Sequence, residues 1–194
     1  MTPRTPNQNK EIRQETRQQI KDAAFELFAE KGFSSTSVRA IAQQANKSKG
    51  LIYHYFDGKN DILQAIFDDL ATLSNQAMDF PDELSSAERL EYLLDMIFGY
   101  IQESTEVVRL MMALALQPKA IATLKSSIEQ YNAHHIEMMR PLFEDLGCEN
   151  PEAEAYYLVA KLDGITLGLI TLGDDYPFES MKQKVLEDYV LDQK

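Results

Sequence analysis

Thr36, Ser37, Arg39, Ser48, Lys49, Gly50, Tyr53, His54, Tyr55 and Lys59 all fall in the stretch 34–59, SSTSVRAIAQQANKSKGLIYHYFDGK. They are hydroxyls, cations and amphipathic rings with one glycine among them. Such groups hold phosphates and read base edges; they do not break bonds. Thr36 and Ser37 stand at a helix start, where hydroxyls and free N–H groups hold a phosphate. The Arg39 fork matches the O6/N7 edge of guanine, a bidentate contact worth about 1–3 kcal/mol of discrimination. Gly50 lets a helix sit deep in a groove. Ser48, Lys49, Tyr53 and Tyr55 are candidates for phosphate contacts, with Tyr53 also able to pack on a thymine methyl. His54 is the candidate for a base edge, and Lys59 for the flanking backbone.

Two short helices must position these groups. Thr36 and Ser37 cap a helix that begins at Val38. Ile41, Ala42 and Ala45 supply its inward face, and Ala42 is small enough for a second helix to cross closely. Asn46 ends it, because Asn tolerates the left-handed conformation. Ser48 caps the next helix, Lys49 to Phe56, in which Ile52 and Phe56 point inward together while Gly50 and His54 point outward. The arrangement is a helix-turn-helix.

The longer run GFSSTSVRAIAQQANKSKGLIYHYFDGKNDIL resembles the N-terminal signature of the tetracycline-repressor (TetR) family of bacterial transcriptional regulators. The resemblance starts upstream in IKDAAFELFAEKGF and reaches about Leu70. Its ordered TSVR, IA, SKG, YHYF and following Lys are more specific than a bare helix-turn-helix. It departs from the family at Asn46 and Lys47, where Gly and a small apolar residue are usual, and at Leu51, where a small or hydroxylated residue is common. The first pair bears on the turn and the second on base choice. The resemblance implies that Lys59 pins the DNA backbone.

Charge distribution points the same way. The chain carries a net charge of −12, yet residues 1–60 carry +4 and the remainder −16. A basic head on an acidic body orients a molecule on a polyanion. So few positive charges per head imply that tight binding needs more than one head. The lone cysteine, Cys148, excludes an intramolecular disulfide. No apolar run is expected to span a membrane, the polar N-terminus does not read as a signal peptide, and a cytoplasmic protein is expected. Residues 1–10, MTPRTPNQNK, read as a disordered tail in which Arg4 and Lys10 could reach a phosphate or the minor groove.

Beyond the head, helical periodicity continues without strand alternation, so an all-α protein is expected. Ile20, Ala24, Leu27 and Phe28 mark a helix stopping at Gly32. Ile62, Ile66, Leu70, Leu73 and Ala77 mark a connecting helix, with a boundary near Pro81. Leu90, Leu93, Leu94, Ile97 and Ile101 form the next stripe. TEVVRLMMALALQP reads as a short helix buried all round and ended by Pro118. Leu124, Ile128, Tyr131, His135, Met138 and Leu142 form one seam, and Asn150-Pro151 opens another helix. A final helix after Pro177 carries Phe178, Met181, Val185 and Tyr189. The division expected is 1–60, a three-helix DNA-binding domain, and 61–194, a helical effector-binding and dimerisation domain. The resemblance implies a nine-helix arrangement.

Ala160, Gly164 and Gly168 recur every fourth residue. Gly costs up to about 1 kcal/mol in a helix interior, so the pair suggests close approach of another backbone. A second subunit is the first candidate; with Met181, Val185 and Tyr189 of the final helix it would form the intermolecular four-helix bundle of the family. An intramolecular crossing is the alternative. Met96, Tyr100, Met111, Met112, Tyr131, His135, Met138 and Met139 cluster in the region that encloses the family's pocket for a small-molecule effector, and Met suits adaptable apolar sites. Buried polar tips at Tyr100, Tyr131 and His135 need partners, which a ligand could supply. No cofactor, metal-ligand spacing, phosphate loop or catalytic motif is present in the sequence. The expectation is a homodimeric, effector-responsive repressor on double-stranded DNA. The alternative is a small-molecule-binding helical protein whose head docks a protein, with the turn at Asn46-Lys47 as its sequence support.

Overall fold

The computed structural model describes residues 6–81 and 83–191. Its described residues form the helices α1 Pro6–Lys31, α2 Val38–Gln44, α3 Lys49–Tyr55, α4 Lys59–Ala77, α5 Ser86–Glu103, α6 Thr105–Ala115, α7 Pro118–Asp145, α8 Pro151–Leu172 and α9 Phe178–Leu186. A 3-10 turn, Gly173–Asp175, follows α8, and a π-helical turn, Glu187–Leu191, continues α9. No strand occurs among the described residues. The fold is all-α, as periodicity requires.

Local chemistry sets the boundaries. Gly32, at φ +87°, ends α1 in the left-handed region where glycine is unstrained. Ser85 and Glu88 close a reciprocal capping box on α5. Asn150 accepts from the Ala153 N–H, with Pro151 at the first position of α8. Three expectations are corrected. Residues 6–10 are not tail, because α1 already starts at Pro6 and Lys10 is an exposed helical residue; residues 1–5, with Arg4, lie outside the described residues. The helix α6 is not buried all round, for Val107 is exposed and Met111 and Met112 are half-buried. Pro118 is not the end of α6, which stops at Ala115, but the first residue of α7, where it breaks the helix between them.

The chain divides into two compact units, residues up to Leu70 with Leu110–Lys125, and Ala71–Arg109 with the residues from Ser126 onward. In the first, Ile20, Ala24, Leu27 and Phe28 of α1 are buried with Ile41, Ile52, Phe56, Ile62 and Leu63. Phe33 meets Phe28 edge to face at 5.0 Å between ring centroids. In the second, Leu90, Leu94 and Phe98 of α5, Met139 and Phe143 of α7, Ala155, Leu158, Leu162 and Ile165 of α8, and Phe178 and Val185 of α9 make one core. Contrary to expectation, the segment Pro151–Asp175 is apolar and long enough, by composition alone, to cross a membrane. One side of α8 is spent in that core; Tyr156, Tyr157, Val159 and Leu167 remain outside it.

Candidate nucleic-acid interface

The helix pair α2–α3 is built as its spacing demands. Ser37 is the cap of α2 and its Oγ accepts from the Ala40 N–H; Ser48 caps α3 and accepts from the Leu51 N–H. Between them Asn46 takes φ 53°, the left-handed value, and the Lys47 N–H donates to the Ala42 carbonyl at 2.8 Å. Asn therefore closes this turn without glycine. Ile41, Ala42, Ile52 and Phe56 are buried. Each can be spared from the surface because it fixes the crossing of the two helices.

What remains outside is a set of recognition groups. Ser37, Arg39, Ser48, Lys49, Gly50, Tyr53 and His54 are all exposed, and Tyr53 keeps 50% of its surface free despite its size. The Lys49 ammonium lies 5.6 Å from the Tyr53 ring centroid, a loose cation–π pair. His54 and Tyr55 meet edge to face at 5.2 Å. Tyr55 is half-buried, with the Arg13 guanidinium 6.0 Å from its ring centroid. The Arg17 guanidinium sits 4.7 Å from the Phe56 ring centroid, fastening α1 to the end of α3.

Two residues expected at the interface are used inside the fold. Thr36 is only 4% exposed, and its single O–H is shared between the Leu27 and Gly32 carbonyls, at 3.1 and 2.9 Å. In the free chain that hydroxyl closes the end of α1. The Lys59 ammonium donates to the carbonyls of Phe33 at 2.7 Å, Ser34 at 3.2 Å and Thr36 at 3.0 Å, and lies 4.7 Å from the Phe33 ring centroid. An ammonium has three N–H groups, and in the free chain these three carbonyls engage all of them. Burial, and then the charge of Lys119, hold its pKa below the ordinary lysine range. Sequence reasoning missed Gln117, whose amide bonds the same α1–α2 turn across more than eighty residues. No local spacing could have signalled that contact.

The expected effector residues are distributed less simply. In the second unit the Tyr131 hydroxyl donates to Ser74 Oγ at 2.8 Å, and His135 Nε2 meets Asn75 Oδ1 at 3.1 Å. Their rings stack with centroids 4.1 Å apart. Their polar tips thus have protein partners already, contrary to the expectation that a ligand supplies them. Burial, followed by the charge of His134, lowers the His135 pKa, and burial raises that of the half-buried Tyr100. Met96 and Met138 are exposed, Met139 is in the core, and Met111 belongs to the first compact unit. Among the described residues no group of three or more His, Cys, Asp or Glu could hold a metal ion.

The expected dimer residues also separate into two sets. Ala160 and Gly164 are exposed on α8. Val185 and Tyr189 instead turn into the core of their own unit, and Tyr189 donates to Glu154 Oε1 at 2.8 Å. Met181 is half-buried and packs against that same core. In the single chain Val185 and Tyr189 are therefore spent on their own unit, while Met181 keeps part of its surface free; an amphipathic stripe does not declare whose core it enters.

Residues 20–66 match the model for bacterial regulatory proteins of the tetR family. The chain is 31% identical over 117 residues to the HTH-type transcriptional regulator UidR of Escherichia coli, an alignment covering 58% of this chain and 59% of that protein. It therefore spans less than two thirds of that relative. Among solved structures, a transcriptional regulator from Rhodococcus shares the fold with a TM-score of 0.74 at 20% identity, covering 91% of this chain and 96% of the other. The SmeT–triclosan complex gives 0.72 at 20% identity, with coverage of 89% and 90%.

Proposed function

We propose, for a chain that carries a TetR-family helix-turn-helix head, the role of a ligand-responsive, DNA-binding transcriptional regulator. In its finer form it is a homodimeric repressor, cytoplasmic, released from a pseudo-palindromic operator by a small-molecule effector. The observation that carries the reading is the sorting of α2 and α3. Ile41, Ala42, Ile52 and Phe56 are buried, while Arg39, Lys49, Gly50, Tyr53 and His54 are exposed. A groove-binding helix requires this division. Arg39 and His54 read bases; Ser37, Ser48 and Lys49 hold phosphates, and Tyr53 and Tyr55 flank them. Thr36 and Lys59 set the turn on which these depend.

A dimer would bring two basic heads to one duplex, with half-site spacing fixed by its symmetry. The exposed apolar side of α8, with Ala160 and Gly164 between Tyr156, Tyr157 and Leu167, supports a partner there. The triclosan complex of SmeT supports a small-molecule effector in a protein of this fold. An effector that prefers one separation of the heads would shift α4 and weaken DNA binding by its differential affinity, about 1–3 kcal/mol. Met96, Tyr100, Met111, Tyr131, His135 and Met138 remain the residues to probe for that site. The relative named above is a transcriptional regulator, which supports a non-catalytic role. The closed turn at Asn46 removes the support for a head that docks protein in place of DNA. Repeated selection of the full chain on a randomised duplex library at near-physiological salt tests the proposal. One enriched pseudo-palindrome is expected; a folded dimer that enriches nothing contradicts it.

A further inference from the structure

The turn from Gly32 to Ser37 joins α1 to the helix-turn-helix and belongs to no regular element except where it caps. Its backbone polar groups must find partners elsewhere. Thr36 and Lys59 bond four of its carbonyls, at Gly32, Phe33, Ser34 and Thr36, and Thr36 also reaches the Leu27 carbonyl in α1. Two further groups, one in the turn and one at the end of α1, are bonded by Gln117. Its Oε1 accepts from the Phe33 N–H at 2.6 Å. Its Nε2 donates to the Phe28 carbonyl at 2.8 Å, with a longer contact to Ala113 O at 3.3 Å. Phe28 O is one of the last-turn carbonyls of α1 that helix geometry leaves without an intrahelical partner.

The amide is delivered from a fixed backbone. Gln117 precedes Pro118, which disfavours the helical conformation at residue 117 and so forces the break between α6 and α7 there. The Gln117 N–H donates to Leu114 O at 3.1 Å, and its carbonyl accepts from the Ile121 N–H at 3.0 Å. One end of this elbow therefore closes α6 and the other opens α7. The side chain between them ties both sides of the α1 terminus.

We propose that Gln117 is a positioning residue for DNA recognition: its amide sets the α1–α2 turn, and through it the entry of α2, so that the readiness of the head to bind depends on the α6–α7 elbow. The proposal rests on the DNA-binding reading above. Gln117 touches no duplex; it acts through Phe33 and the cap Ser37, four residues on. A binding constellation loses affinity when the groups supporting it loosen.

The test uses the full-length protein and the duplex enriched by selection. Gln117→Ala and the similarly long Gln117→Met both lose the bonds to Phe33 and Phe28 and the longer one to Ala113, and each should weaken binding about tenfold. The slope of log K against log salt should stay at the wild-type value, because no phosphate contact is lost. Lys49→Ala serves as the reference and should reduce that slope by roughly 0.9 for each head, about twice that for the dimer. Gln117→Glu keeps an acceptor for the Phe33 N–H but sets a carboxylate oxygen against the Phe28 carbonyl, so it should not recover the affinity. Hydrogen exchange at Phe33 should accelerate in Gln117→Ala and Gln117→Met while the core amides of α1 stay protected. Wild-type affinity in Gln117→Met, or a lowered salt slope, overturns the proposal. Failure of the wild type itself to enrich any duplex defeats the DNA-binding reading instead, and Gln117→Met covers the case in which the alanine variant does not fold.

Discussion

Tyr176 lies over Gly168 so closely that a Cβ added to the glycine would overlap its ring. The two residues flank the end of α8, and the turn Gly173–Asp175 brings the ring back onto the helix. Gly164, one turn earlier, has nothing within 4 Å of the position a Cβ would take. The same glycine spacing thus has two causes: one position is filled by the chain's own tyrosine, and the other is open.

Alanine at these two sites should have opposite effects. At Gly164 the gain in helix propensity, up to about 1 kcal/mol, meets no steric cost in the single chain. At Gly168 the ring must swing out and surrender its packing, an overpacking cost of about 1–3 kcal/mol that outweighs the same gain. Urea unfolding should show Gly168→Ala less stable than wild type. Gly164→Ala should be at least as stable at concentrations where the chain is monomeric. A loss at Gly164 only under dimeric conditions would mark a partner's backbone against it.

Removing the Lys59 ammonium should damage the fold of the head before it damages phosphate binding. Lys59→Met retains much of the stem but leaves the Phe33, Ser34 and Thr36 carbonyls without their donor. Carbonyls that lose a charged donor cost about 1–3 kcal/mol. The expected result is a lower melting temperature with an unchanged salt slope for DNA binding. A lowered slope at full stability would return Lys59 to the phosphate backbone.

The helix-turn-helix was legible because all its determinants are local. Ser37 and Ser48 cap, Asn46 turns, and Ile52 and Phe56 share a face within one turn of helix. The uses of Thr36, Lys59 and Gln117 were not legible, because a polar side chain carries no mark of the distant carbonyl that it will meet. For the same reason Tyr131 and His135 read as groups awaiting a ligand, although Ser74 and Asn75 satisfy them. Val185 and Tyr189 misled differently. Their spacing identifies an apolar face, and only tertiary packing reveals that α9 spends it on its own chain.

Within the exposed set, base reading and phosphate holding are separable. Arg39→Ala should relax preference at one base pair of each half-site, by about 1–3 kcal/mol if the contact is bidentate to guanine. His54→Ala should do so at a different position. Binding of each variant to duplexes carrying every base at each position checks this. Equal losses on all duplexes for Arg39→Ala would mean that it holds a phosphate.

The His135–Asn75 pair should make the second unit acid-sensitive. Burial lowers the His135 pKa from its ordinary value of 6.5, so the unfolded chain binds this proton more readily than the folded one. Its contribution to stability is complete above about pH 6.5 and is lost as pH falls through that value toward the lower folded pKa. His135→Phe keeps a ring against Tyr131 and removes the titration. Its unfolding free energy should fall less between pH 7.5 and 5.5 than that of the wild type. Equal falls would assign the acid response to other groups.

Dimerisation should respond to the surface of α8 and not to the buried face of α9. Tyr156, Tyr157 and Leu167 are each at least half exposed, and in a monomer a charge at such a position costs little. Leu167→Glu should therefore leave the melting temperature of dilute protein almost unchanged while shifting sedimentation at higher concentration from dimer to monomer. Val185→Ala opens space in the core of its own unit and should cost about 1–3 kcal/mol of chain stability. Tyr189→Phe strands the Glu154 carboxylate that its hydroxyl now bonds, and should cost about 1 kcal/mol. Neither should dissociate a dimer at temperatures where the chain remains folded. If Val185→Ala yields folded monomers and Leu167→Glu remains dimeric, the partner packs on α9, and the inward placement of Val185 describes the free chain alone. Loss of the dimer in Leu167→Glu should also lower operator affinity steeply, because each head carries too few positive charges to hold a duplex by itself.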